Sequence, residues 1–215
     1  GPNTYIYIWD VTGHGVASGF VMMVVNALIS GFSKMVDNSA LILAKTNEIL
    51  KPRVKSNMLM TLLMVRWNEE TRKLYMSGAG HEYLLVYKKA QNKVYALKSG
   101  GVALGMMRDI SKLLKEVQIS FEPGDCIVLY TDGITEARNG PRESDMMFGI
   151  DRLKEIIKNA PQKTAAGIFT TITIELSKFM GYAHRQFDDI TLIVARYKED
   201  AEGDIEPTPI PLANI

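Results

Sequence analysis

Asp10, Asp132 and Asp188 occupy the same kind of place in the chain, each beside an apolar stretch with the composition of a β-strand. Asp10 follows Tyr5-Ile6-Tyr7-Ile8-Trp9. Asp132 follows the run from Cys126 to Thr131 and precedes Gly133. Asp188, with Asp189, precedes the run from Ile190 to Tyr197. A carboxylate at a strand end has its backbone fixed by the sheet, so its oxygens can be aimed. Hard divalent cations such as Mg²⁺ and Mn²⁺ take carboxylate, carbonyl and water oxygens. A set of aspartates without His or Cys partners suits those ions better than zinc. Each position alone has an ordinary reading: Asp-Gly after a strand is a turn, and Asp-Asp before one is solvated or caps it. Cys126 lies within an apolar run, with no neighbour that would lower its pKa, so a cysteine nucleophile is not expected.

The elements that must hold these residues can be read from periodicity and breakers. The stretch from Tyr5 to Trp9 is aromatic and β-branched, the composition of a strand. Val16 to Val36 is almost unbroken apolar sequence and reads as a helix buried on several sides. Asp10-Val11-Thr12-Gly13-His14-Gly15 joins the two. A second helix is expected over Ala40–Lys51, stopped by Pro52. Strands are expected over Met58–Trp67, Lys73–Ser77, Tyr83–Lys88, Lys93–Leu97, Lys115–Phe121, Cys126–Tyr130 and Ile190–Tyr197, and helices over Gly149–Asn159 and Lys163–Met180. Glu122-Pro123-Gly124-Asp125 has the residues of a tight turn. Hairpins in the middle and helices at both ends indicate an α+β chain with antiparallel sheet rather than a parallel βαβ fold.

Composition narrows the function. Of 215 residues, 47% are hydrophobic, enough for a sizeable core. The net charge of +1 gives no basic field for nucleic acid. The single cysteine excludes a disulfide framework and suits a reducing compartment, so a cytoplasmic location is expected. Ser18, Asn26, Ser30 and Lys34 interrupt the Val16 run, which argues against a membrane span. Gly1-Pro2 reads as the remnant of a cleaved tag, residues 3–197 as one domain, and residues 198–215 as an acidic, proline-containing tail. The glycine loop Gly100-Gly101-Val102-Ala103-Leu104-Gly105 lacks the Lys-Ser/Thr of a nucleotide-binding P-loop.

Taken together and in order, DVTGHG, GAGH, GGVALG, GDCIVLYTDGITEARN, FGIDRL and FDDITLIVARY resemble the bacterial serine phosphatase branch of the metal-dependent type 2C-like (PPM) protein phosphatases. This branch includes the stage II sporulation phosphatase, protein E, and regulators of stress sigma factors. The resemblance spans about Tyr5 to Tyr197. It implies an αββα sandwich, two antiparallel sheets flanked by helices. It also implies hydrolysis of phosphoserine or phosphothreonine on a regulatory protein by a water activated between two Mn²⁺ or Mg²⁺ ions. By similarity Asp10 would bridge both ions, the Val11 carbonyl would ligate one, and Asp132 and Asp188 would complete the other site. His14, Gly133 and Asp189 would stand behind these ligands. The implied partner is a phosphorylated anti-sigma-factor antagonist, with an upstream sensory module as a further expectation.

The sequence departs from the family before DVTGHG. The family's Gly-Gly-Asp strand, whose carboxylate serves the second metal, has no counterpart among the residues ahead of Tyr5, and Trp9 stands where a small residue is usual. The expected sandwich is therefore truncated at its N-terminal strand. An unpaired edge of this kind favours a homodimer. The alternative function is a catalytically impaired or inactive phosphatase-like domain that signals by binding.

Overall fold

The apolar runs pair into two four-stranded antiparallel sheets. The computed structural model describes residues 1–13, 15–140, 142, 145–181 and 188–198. The first sheet has the order β1 (Asn3–Val11), β2 (Met60–Asn68), β3 (Lys73–Ala79) and β6 (Val117–Ile119). The second has the order β5 (Lys93–Leu97), β4 (Leu84–Lys88), β7 (Cys126–Tyr130) and β8 (Leu192–Arg196). The helices are α1 (Val16–Phe32), α2 (Ser39–Leu50), the single turn α3 (Asp132–Thr135), α4 (Ile150–Asn159) and α5 (Ala165–Met180).

Alternation of side chains along the strands makes three apolar layers from two sheets. On β2, Leu63 and Val65 point inward, to meet Ile127 and Leu129 of β7 between the sheets. Leu62 and Met64 point outward and pack under α1 and α2, against Val25, Ile29, Ile42 and Leu43. On β7, Val128 and Tyr130 point the other way and pack under α4 and α5, against Leu153, Ile157, Ile168 and Ile172. Both faces of β2 and β7 are covered, which is why their sequences are continuously apolar rather than alternating. This is the expected αββα sandwich. β1 stands at a sheet edge, with β2 as its neighbour among the described strands.

Helix starts follow local chemistry. Asn38 Oδ1 accepts the Leu41 amide at 2.8 Å, and Thr164 Oγ1 accepts the Gly167 amide at 3.0 Å. These caps move the two helix starts from the expected Ala40 and Lys163 to Ser39 and Ala165. A larger correction concerns α1. It is not buried on several sides: only the stripe Ser18, Val21, Val25 and Ile29 is buried. Val16, Phe20 and Met23 on its outer side are 76%, 62% and 65% exposed. A uniformly apolar helix cannot by itself show how many of its faces are covered. No helix among the described residues is long and apolar enough to cross a membrane.

Candidate metal centre

β1 and β7 end, and β8 begins, at the same rim of the sandwich, and the acidic residues stand there. Asp10 is the second-last residue of β1, held in register opposite Thr61 of β2. The turn that follows is tied back to the lead-in of β2: Thr12 Oγ1 donates to the Asn57 carbonyl at 2.9 Å, and the Thr12 amide donates to the Leu59 carbonyl at 2.9 Å. α1 then starts, with Ser18 Oγ donating to the Gly15 carbonyl at 2.8 Å. Asp132 opens the single turn α3 immediately after β7. Asp188 and Asp189 lead into β8, which pairs with β7 from Tyr130↔Leu192 onward.

Between these ends lies a cleft of about 620 Å³, lined by Asp10, Val11, Thr131, Asp188 and Asp189, with Trp9 and Met22 beside them. The rear wall needs a glycine. A Cβ on Gly133 would stand 2.4 Å from the Asp189 carbonyl oxygen, so only hydrogen allows the two backbones to approach. Thr131 closes the same contact from its other side: its hydroxyl donates to the Asp189 carbonyl and accepts the Thr191 amide, both at 2.9 Å. The YTDG and FDDIT segments are thus one unit.

The electrostatics show a shortage of positive charge. Burial, then Asp10, Asp188, Glu136 and Glu82, push the Asp132 carboxyl up to about 6. Burial and then Asp188 raise that of Asp10, against a backbone hydrogen bond at Val11 that lowers it. Asp132 Oδ1 is buried and takes no hydrogen bond among the described residues. Buried carboxylate oxygens ordinarily have partners. A group of carboxylates in which Asp188 raises Asp10, and both raise Asp132, with an orphaned oxygen on Asp132, fits a hard divalent cation in donor type and in charge. Among the described residues, no three acidic, histidine or cysteine side chains close on one point. The carboxylates ring the cleft rather than clench it.

The residues expected at the site from sequence divide clearly. The structure brings Asp10, Val11, Asp188 and Asp189 to one cleft, with Asp132 in electrostatic contact and Gly133 in its wall. His14 lies outside the described residues. Arg138 Nη1 donates to the Asp145 carbonyl at 3.0 Å, in the loop after α3. Cys126 opens β7 as expected; it is fully buried, and burial pushes its thiol up to about 11, which removes it as a nucleophile. Sequence reasoning missed Thr131, whose contacts lie 58 and 60 residues away. A second cleft, of about 410 Å³, opens at the opposite end of the sandwich between Trp67, Phe121 and Tyr197, remote from the carboxylates.

This architecture is shared with known phosphatase domains. The structure of the SiaA-PP2C domain of Pseudomonas aeruginosa aligns with a TM-score of 0.74 at 22% identity, covering 92% of this chain and 81% of that one. A structure of RsbX in complex with magnesium aligns with a TM-score of 0.62 at 13% identity, covering 90% and 85%. The fold is therefore that of the PP2C-type protein phosphatases. Among curated proteins, the phosphoserine phosphatase RsbU of Bacillus subtilis (strain 168) is 28% identical over 193 residues, 90% of this chain. The chain spans 55% of the length of RsbU. Residues 1–198 match the family model for stage II sporulation protein E (SpoIIE), and the chain belongs to that family.

Proposed function

We propose that this chain is the catalytic domain of a divalent-metal-dependent phosphatase that removes phosphate from phosphoserine or phosphothreonine on a regulatory protein. The observation that carries this reading is the convergence of Asp10, Asp188 and Asp189 on one cleft beside Asp132, whose buried Oδ1 takes no hydrogen bond among the described residues. Asp10, the Val11 carbonyl, Asp132 and Asp188 would hold one Mn²⁺ or Mg²⁺ ion and part of the site for a second, whose remaining carboxylate belongs to the family's Gly-Gly-Asp strand. When bound, such ions acidify a water and neutralise phosphoryl oxygens during in-line displacement. The protein contributes placement. Sheet pairing fixes Asp10, the Thr131–Asp189 contact fixes Asp132 against Asp188, and Trp9 and Met22 border the approach. No side chain is needed as a covalent nucleophile. RsbU is a phosphoserine phosphatase by name, and a phosphorylated anti-sigma-factor antagonist is the proposed substrate class here. Control by an upstream sensory module, and self-association along the sheet edge that β1 forms among the described strands, belong to the same proposal.

A second reading, a phosphatase-like domain that binds without turnover, is favoured by one observation: the carboxylates do not close on a single point. Phosphate release from a phosphoserine protein, measured with Mn²⁺, with Mg²⁺ and with chelator, separates the two. The first reading expects metal-dependent release that Asp10→Asn or Asp188→Asn abolishes. Mn²⁺ binding without release would establish the second.

A further inference from the structure

His81 sits in the Gly78-Ala79-Gly80-His81 segment after β3 and touches both sheets. Its Nε2 lies 3.2 Å from the Tyr130 carbonyl oxygen, at the end of β7 and two residues before Asp132. Its Nδ1 lies 2.9 Å from Thr61 Oγ1. Thr61 is the cross-strand partner of Asp10. Residues directly opposite in an antiparallel pair present their side chains on the same face, with Cβ atoms about 4.5–5.5 Å apart. One imidazole therefore connects the strand end that carries Asp10 to the strand end that carries Asp132.

The chemistry of the two contacts fixes the ring. A carbonyl only accepts, so Nε2 must carry the proton. Burial favours the neutral ring. Nδ1 then holds a lone pair, and the Thr61 hydroxyl must donate to it. The backbone of His81 is held as firmly as the ring. Ser99 Oγ donates to the His81 carbonyl, and the Gly80 amide donates to the Gly100 carbonyl at 2.9 Å. The two loops lie backbone on backbone: a Cβ on Gly78 would meet the Ser99 carbonyl oxygen at 2.3 Å. Gly78, Gly80 and Gly101 are thus accounted for by this approach of the two loops, and its product is a fixed histidine between the sheets.

We propose that His81 is a positioning residue that clamps the strand ends bearing Asp10 and Asp132 across the gap between the sheets, and so sets the carboxylate spacing on which divalent-cation affinity depends. This rests on the metal-dependent reading above. Partners that orient metal ligands are commonly worth about 10–100-fold in affinity. His81 acts through Thr61 and through backbone, so the low end, about tenfold, is expected.

The test uses the whole chain. Mn²⁺ affinity is measured by calorimetry for the parent, His81→Leu, His81→Gln, His81→Asn and Thr61→Val, with melting temperature measured for each. Gln can keep the donor to Tyr130, and Asn can keep the acceptor for Thr61. Ile172→Val, in the core beneath α5, is a control for general destabilisation. The clamp expects about tenfold weaker binding in His81→Leu, smaller losses in the half-mimics and Thr61→Val, and no loss in Ile172→Val. If His81→Leu does not fold, the half-mimics and Thr61→Val carry the comparison. Parent-like affinity in the His81 and Thr61 variants, or losses that track melting temperature and appear equally in the control, would overturn it. A parent that binds no Mn²⁺ would overturn the metal-dependent reading and the inference with it. In the metal-free chain, ¹⁵N NMR tests the geometry alone: a neutral, Nε2-protonated ring supports the clamp, and the Nδ1-protonated tautomer refutes it.

Discussion

Replacing Asp132 by Asn should stabilise the metal-free chain near neutral pH while removing its stabilisation by metal. The folded chain holds the Asp132 carboxyl at about 6, above its ordinary value of 3.8, chiefly through burial and then through Asp10 and Asp188. A carboxyl raised in the folded state binds its proton more tightly there than in the unfolded chain. Its contribution favours folding below about pH 4 and is lost as pH rises through about 6. Two units at 1.36 kcal/mol each set a ceiling of about 3 kcal/mol. The cleft admits water, and screening at a partly exposed group reduces this to about 1 kcal/mol. For a domain of this size that is about 2–4 °C in melting temperature. Mn²⁺ at a hundred times its dissociation constant should stabilise the parent by about 2.7 kcal/mol. Melting temperatures at pH 5 and pH 7.5, with and without Mn²⁺, form the assay. Asp132→Asn should gain about 2–4 °C at pH 7.5 without metal, little at pH 5, and far less than the parent when Mn²⁺ is added. A variant less stable than the parent without metal, yet equally stabilised by Mn²⁺, would refute the electrostatic account of the site.

Three further outcomes follow from the geometry. Gly133→Ala places a methyl 2.4 Å from the Asp189 carbonyl oxygen, so the backbones must part; a cost of about 1–3 kcal/mol and a fall in phosphate release of about 100-fold are expected, read by thermal melting and by turnover. Glu116→Ala strips the buried Arg66, 2.8 Å away, of its carboxylate and leaves the Ser39 amide without its acceptor; a loss of about 3–5 kcal/mol in denaturant unfolding is expected, with Mn²⁺ affinity unchanged below the melting transition. Cys126→Ala should leave turnover intact, and the native thiol should resist alkylation at pH 7.5, because it is fully buried and its pKa is raised to about 11.

What the sequence disclosed depended on how local the signal was. β5 and β7 match their expected bounds, Lys93–Leu97 and Cys126–Tyr130, because each is a short apolar or alternating run closed by turn residues. β6 shrank from Lys115–Phe121 to Val117–Ile119, since pairing with β3 covers only those three positions. The single turn α3 had no periodic signal to give. Asp10, Asp132 and Asp188 were legible because strand ends are local features. Thr131 was not, and the partners of His81 were not, because these are contacts between segments roughly 20 to 60 residues apart. The exposed side of α1 is the same lesson inverted: its residues are apolar on every side, and only tertiary packing decides which side is covered.

The central claim is that the ends of β1, β7 and β8 form a divalent-cation centre. Anomalous diffraction at the manganese edge, from crystals of this chain soaked in Mn²⁺, tests it directly. The account predicts an anomalous peak bounded by Asp10, Asp132 and Asp188, and its disappearance in Asp10→Asn. A chain that shows no peak in that cleft at saturating Mn²⁺, or the same peak in Asp10→Asn, would contradict it.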